Sequence, residues 1–196
     1  MEKDKFEGRL HPLLRTRWSP LVFDTTAEAS LDDVRTLLEA ARWAPSAGNS
    51  QPWAFIIARR GEPTHQRLVR YLAKSSAAWA PTASILTANV SHRFVADTDW
   101  DYSEFSVYDL GQAVAHMTLQ AQAMGLSARQ FRAFDREGLA AEFGVPAHWE
   151  VTTMTAFGRA PAGVTPHAAA APGADALSRQ RRPAADIMWC ATGLSG

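Results

Sequence analysis

Apolar residues recur at helical spacing in several stretches and cluster into short continuous runs in others, so the chain reads as helices interleaved with strands. Leu31, Val34, Leu37, Leu38 and Ala41 predict a helix over residues 30–43, opened by the capping-box pair Ser30 and Asp33 and stopped by Pro45. The run Trp53–Ala58 predicts a strand buried on both faces, hence a central one. Pro63 suits the first turn of a second helix reaching about Lys74, with Leu68, Val69 and Leu72 inward. Residues 84–90 predict another strand, and the polar, aromatic stretch 92–104 a surface loop that covers something. Val107, Leu110, Val114, Met117, Ala121 and Met124 define the longest helix, with Gly125 placed for a left-handed cap. A short helix from Asp135 to Gly144 and a strand over 149–157 follow. Residues 160–176, dominated by Ala, Pro and Gly, predict an extended strap, after which Ile187, Met188 and Trp189 could form a last edge strand.

Composition narrows the classes. The chain has 196 residues, 46% of them hydrophobic and 20% charged, enough for one domain with its own core. Twenty Lys plus Arg balance twenty Asp plus Glu, so no net field gathers nucleic acid or an anionic membrane. No stretch approaches the ~20 apolar residues of a membrane span, and a single cysteine, Cys190, excludes an internal disulfide. A cytoplasmic protein is expected. The six histidines are scattered without ligand spacing, so no metal site is expected. The dinucleotide fingerprint, the P-loop and the G-x-S-x-G elbow are absent. Seven tryptophans suit a core, an interface or a flat-ligand pocket.

Three clusters could carry chemistry. Arg15, Thr16, Arg17, Trp18 and Ser19 group guanidinium and hydroxyl donors of the kind a phosphate monoester requires, although such a run also reads as solvated surface before a Ser-Pro turn. Residues 43–53 combine a helix stop, small residues that permit close backbone approach, and the amides of Asn49 and Gln51 beside Trp53. Alone, that run reads equally as a helix-to-strand connector. The third, Arg181, is an isolated basic group.

Taken together, the run APSAGNSQPWAFIIA at 44–58 resembles the A-P-S-x-x-N-x-Q-P-W-x-F signature of the nitroreductase family, the FMN-dependent reductases. The segment R-W-S-P-x-x-F-D from Arg17 to Asp24 resembles that family's N-terminal phosphate-binding segment, residues 125–135 its G-L…F-D region, and Arg181-Arg182-Pro183 its terminal Arg-x-Pro. The resemblance implies an α+β fold, a central mixed sheet wrapped by helices, in an intertwined homodimer with FMN at each of two subunit interfaces. It also implies site residues. Arg17 and Ser19, with the backbone around Trp18 and with Arg181, would hold the FMN phosphate. Pro45, Ser46, Ala47 and Asn49 would approach the isoalloxazine or ribityl chain, Gln51 would support their loop, and Ala128, Arg129 and Gln130 would run past the flavin edge.

Two departures stand out. The resembled family places Lys or Arg two residues after the Ser, where this chain has Leu21, and Gly where it has Ala133. A cation near the N1 and O2 edge favours reduced flavin, so Arg67, Arg70 or Lys74 is a candidate substitute. The expected function is an FMN-dependent oxidoreductase that takes hydride from NADH or NADPH and passes it to a small flat acceptor such as a nitroaromatic, quinone or unsaturated carbonyl. The alternative is a flavin-binding or sequestering protein with little turnover, and a third is a globular protein without flavin.

Overall fold

The computed structural model describes residues 9–164 and 181–189, which fall into two compact units divided between Ala162 and Gly163. In the first unit, α1 spans Pro12–Thr16 and α2 Leu31–Arg42. The predicted capping box forms: the Ser30 hydroxyl accepts from the Asp33 amide, and the Asp33 carboxylate accepts from the Ser30 amide. Then come β1 (Trp53–Arg59), α3 (Pro63–Val69), α4 (Lys74–Ala77), β2 (Ile85–His92), α5 (Ser106–Ala123), β3 (Ser127–Phe131), α6 (Arg136–Glu142) and β4 (Trp149–Gly158). Gly125 ends α5 at φ 75°, a conformation that favours glycine.

The strands form one sheet in the order β1-β2-β4-β3. Helices cover both faces. Leu86, Ala88 and Val90 of β2 and Val151, Met154 and Ala156 of β4 pack with Leu68 of α3 and Leu139 of α6. On the opposite face Ile85 and Phe157 pack with Val34, Leu37 and Ala41 of α2 and with Ala113, Met117 and Ala121 of α5. This face turns polar along β2, where the buried Asn89 amide donates to the hydroxyls of Thr153 and Thr155 at 3.0 and 2.9 Å.

Four expectations need correction. The sheet is α+β as expected, but the pairings among the described residues are antiparallel throughout rather than mixed. The α5 crossover does set β2 and β3 parallel; β4 inserts between them and pairs antiparallel with each. Among the described residues β1 is an edge strand with only Ala58 fully buried, because strand order is decided by pairing partners that an apolar run does not encode. The helix from Pro63 ends at Val69, since Leu72 bridges to Phe134 and the Ala73 amide bonds the Ala133 carbonyl. In the second unit, residues Ala184–Ile187 form a 3-10 turn, with the Asp186 amide on the Pro183 carbonyl, in place of an edge strand. Residues 165–176 of the expected strap lie outside the described residues.

Candidate functional site

The segment after α1 leaves the helix at Arg17, whose backbone is extended at φ −59° and ψ 132°. Downstream, buried Phe23 pins it to the sheet: a Cβ on Gly158 would stand 2.9 Å from the Phe23 ring and 3.1 Å from the Ser84 nitrogen, so only glycine admits this approach. An Arg17 Nη1 donates to Ser19 Oγ at 3.3 Å, which leaves the Ser19 O–H as a second donor beside the guanidinium.

These two side chains line a cavity of about 440 Å³ together with Leu14, Ala115, Thr118, Leu119, Ala128 and Gln130. Three separate stretches of chain supply its walls: the α1 segment, α5 and β3. They are tied to one another. Gln122 of α5 donates to Thr16 at 3.2 Å, Arg129 of β3 donates to the Ser19 carbonyl at 3.2 Å, and Gln130 donates to Thr118 at 3.2 Å. Among the described residues no acidic side chain lines the cavity, and Arg17 supplies its guanidinium charge. Such a donor set fits a phosphate or carboxylate. A wider groove of about 760 Å³ runs along α2 and α5, but its Glu39 is held by Arg42 and the Trp43 ring N–H, which draw that carboxyl down to about 2.

Of the expected β3 residues, Ala128 and Gln130 face the cavity, and strand alternation sends the Arg129 side chain to the opposite face. There its guanidinium lies 4.8 Å from the Trp79 ring centroid, with Nε buried and unpartnered, and burial lowers its pKa. Leu21 is half-buried. Arg67, a candidate substitute for the missing cation, is committed elsewhere: it donates to the Glu142 carboxylate at 2.7 Å and the Glu142 carbonyl at 2.8 Å, and lies over the Phe143 ring.

The Pro45–Gln51 loop holds itself together. Gly48, Asn49 and Gln51 all have positive φ, of 57°, 56° and 47°. The Ser46 hydroxyl accepts from the Gln51 amide at 3.0 Å, the Ser46 carbonyl from the Asn49 amide at 3.0 Å, and the Gln51 side chain donates to the Asn49 carboxamide at 3.2 Å. Two long-range bonds to α5 fix its position: the Ala47 amide donates to buried Asp109 at 3.0 Å, and the Gln112 side chain donates to the Pro45 carbonyl at 3.5 Å. Sequence reasoning missed Asp109 and Thr118, since an acid in a helix's first turn and a threonine on its apolar stripe look ordinary; only their partners mark them. Trp18 is half-buried beside Arg17, and Arg181 lies exposed in the second unit, ahead of the 3-10 turn. Among the described residues no group of three or more His, Cys, Asp or Glu could hold a metal, and no helix is long and apolar enough to cross a membrane.

Comparison with known proteins adds a consistent picture. Residues 14–94 match the model of the nitroreductase family. A curated protein of Archaeoglobus fulgidus, named as a candidate NADH dehydrogenase/NAD(P)H nitroreductase, is 29% identical over 154 residues, covering 74% of this chain and 82% of its own length. A crystal structure of an oxidoreductase containing FMN superposes with a TM-score of 0.72 at 28% identity, covering 78% of this chain and 77% of its own. A candidate nitroreductase of Desulfovibrio desulfuricans solved in complex with FMN shares the fold at a TM-score of 0.67 and 23% identity, over 93% of this chain and 98% of its own. The matched residues contain both the Arg17–Asp24 segment and the Pro45–Gln51 loop, and the fold agrees over most of the chain: over residues 14–94 and in its fold, the chain is similar to the nitroreductase family.

Proposed function

We propose that this chain is an FMN-dependent oxidoreductase, a single FMN-binding domain that works as a cytoplasmic homodimer and passes hydride from NADH or NADPH to a small flat acceptor such as a nitroaromatic, quinone or unsaturated carbonyl. One observation carries the proposal. Arg17, Ser19, Ala128 and Gln130, expected at the cofactor from the sequence, meet on the walls of one cavity. Its volume, about 440 Å³, falls in the range of small-molecule sites. The FMN-containing relatives support the same cofactor.

Bound FMN supplies a ring that accepts hydride from the nicotinamide and releases it to the acceptor. The chain's own residues bind and orient. Arg17 and Ser19 donate to the phosphate, with the Trp18 backbone beside them and Arg181 as a further cation carried over from the resemblance. Pro45, Ser46, Ala47 and Asn49 present the rigid loop to the ring. Asp109, which anchors that loop, and Thr118, which lines the cavity, are nine residues apart on α5, or ~13 Å along its axis. That separation, with Leu14, Trp43, Trp100, Phe105 and Tyr108 exposed, supports a site completed by the loop of a second copy. The competing reading, a flavin binder with little turnover, draws on Leu21 and on the engagement of Arg67 by Glu142.

Anaerobic mixing of the FMN-loaded protein with NADH or NADPH tests the choice. Bleaching of the flavin band within seconds, followed by reoxidation on adding a quinone or nitroaromatic, is expected. A yellow protein that neither nucleotide bleaches would establish the binder, and a colourless protein that takes up no FMN would end both readings.

A further inference from the structure

Half the cavity wall is apolar: Leu14, Ala115, Leu119 and Ala128 offer a ligand no hydrogen bond. The remaining groups are Arg17, Ser19, Thr118 and Gln130, and the last two form a pair whose proton arrangement is fixed. The Thr118 hydroxyl donates to the Val114 carbonyl at 2.8 Å, one turn back along α5. A hydroxyl has one proton, so toward Gln130, 3.2 Å away, Thr118 can only accept. The NH2 end of the Gln130 carboxamide therefore faces Thr118, and its carbonyl oxygen is the opposite end. That oxygen is an acceptor and nothing else.

The pair also has a fixed backbone. Gln130 lies on β3 in register with Thr155 of β4, and shares its strand face with Ala128. Thr118 sits on the stretch of α5 that packs over this sheet face, between Met117 and Ala121 of the core. Without Thr118 the carboxamide could rotate by half a turn and offer a donor in place of an acceptor.

We infer that Gln130, oriented by Thr118, is a ligand-binding residue of this cavity that accepts a hydrogen bond from a hydroxyl of the polyhydroxylated chain joined to the phosphate. The inference rests on the FMN reading. Arg17 and Ser19 line the same cavity, so the part of the ligand nearest Gln130 is the phosphate and the atoms attached to it, which in FMN are the ribityl carbons and their hydroxyls. A hydroxyl brought in here against the aliphatic wall would lose its water, and Gln130 supplies the replacement acceptor. Thr118 acts through Gln130 and is a positioning residue.

Flavin-fluorescence quenching with the full chain, dialysed free of flavin, tests this with two ligands. One is FMN; the other is a flavin phosphate whose ribityl chain is replaced by an unhydroxylated alkyl chain of equal length. Wild type is expected to bind FMN at least about tenfold tighter than the alkyl analogue, the scale of one well-made hydrogen bond. Gln130→Met should lower FMN affinity about tenfold and change that of the analogue less than about twofold. Thr118→Val should move FMN the same way by a smaller factor, and Thr118→Ser, which keeps the hydroxyl, should restore it. Equal losses for both ligands in Gln130→Met, or no loss for FMN, would overturn the assignment while leaving the cofactor standing. Failure of wild type to bind either flavin would overturn the cofactor itself.

Discussion

In the Pro45–Gln51 loop the hydrogen bonds join residues at most five positions apart, save the bonds to α5; the bonds that shape the Arg17 cavity span 12, 106 and 110 positions. The loop is a local object: its glycine, its two left-handed polar residues and its serine acceptor lie within seven residues of chain. The cavity is an assembled object, in which the α1 segment, α5 and β3 contribute side chains that have no reason to meet until the sheet forms. A strong sequence signature thus marks a loop that builds itself, while the group that confers charge on the cavity sits in a short run that reads as ordinary surface. The difference also predicts where damage goes. Local bonds should fail locally, and a cavity assembled at long range should lose ligand selectivity before it loses the fold.

The sharpest way to break the comparison is at the Arg17 guanidinium on the cavity wall. Arg17→Ala should weaken FMN by ~30-fold to nearly 1000-fold, equivalent to about 2–4 kcal/mol for truncating one side of a charge-assisted pair, while riboflavin affinity changes little. Titration of both flavins reads it, and equal FMN affinity in the two proteins would remove the phosphate from Arg17. The same pair of titrations applied to Arg181→Ala decides whether that residue contributes.

Asp109→Ala attacks the loop through its long-range anchor. Losing that carboxylate leaves the Ala47 amide without its acceptor and should cost about 1–3 kcal/mol of stability in denaturant unfolding. Hydrogen exchange should then rise at Ser46–Gln51 and not at β3, because the bonds within the loop cannot fix its position on α5. Exchange rising evenly across the sheet would erase the distinction between local and assembled parts.

Arg129→Met probes the cavity from the far face of β3. The guanidinium clamps the Ser19 carbonyl, so its removal should loosen the donor segment and reduce FMN affinity about tenfold, with riboflavin nearly unaffected. Its buried Nε has no partner, so an apolar replacement also removes an unsatisfied donor, and the melting temperature should shift by no more than a few degrees. A large loss of stability with unchanged flavin selectivity would make Arg129 a core residue and nothing more.

The smallest effect belongs to Glu142. Hydrogen bonds from Arg67 and Tyr71 hold its carboxyl below the usual range in the folded chain. A depressed folded pKa contributes stability above the unfolded value, and that contribution is lost as pH falls through the carboxylate range toward the folded value. Unfolding from pH 7 down to 3 should therefore show a slightly steeper loss in wild type than in Glu142→Gln, with flavin affinity alike in both at pH 7. A flavin effect at neutral pH would mean that Arg67 reaches the cofactor after all.

Local chemistry explains what was legible. The Ser30–Asp33 capping box, the apolar stripe of α5, the Gly125 cap and the Asp135 cap of α6 each depend on residues within about a turn of one another, so the chain declares them directly. The same holds for the Pro45–Gln51 loop. Trp53–Ala58 declared a strand but not its place at the sheet edge, because the apolar run is compatible with several neighbours and only the pairing with β2 selects one. Thr118 was illegible as a candidate site residue, and Arg129, expected at the flavin edge, was illegible as the clamp on the Ser19 carbonyl: these contacts involve a carboxamide and a carbonyl that lie 12 and 110 positions away.

By itself the sequence determined most of the elements, their caps, the self-bonded loop and the candidate donors Arg17 and Ser19, since each follows from backbone and side-chain preferences over a few residues. The tertiary structure alone decided that β4 enters between β2 and β3, that α5 carries the loop anchor on one stretch and a cavity wall on another, and that Gln130 presents its oxygen rather than its nitrogen. Those outcomes depend on which distant surfaces exclude water together and which buried donors find acceptors, and neither is a property of any short stretch of chain.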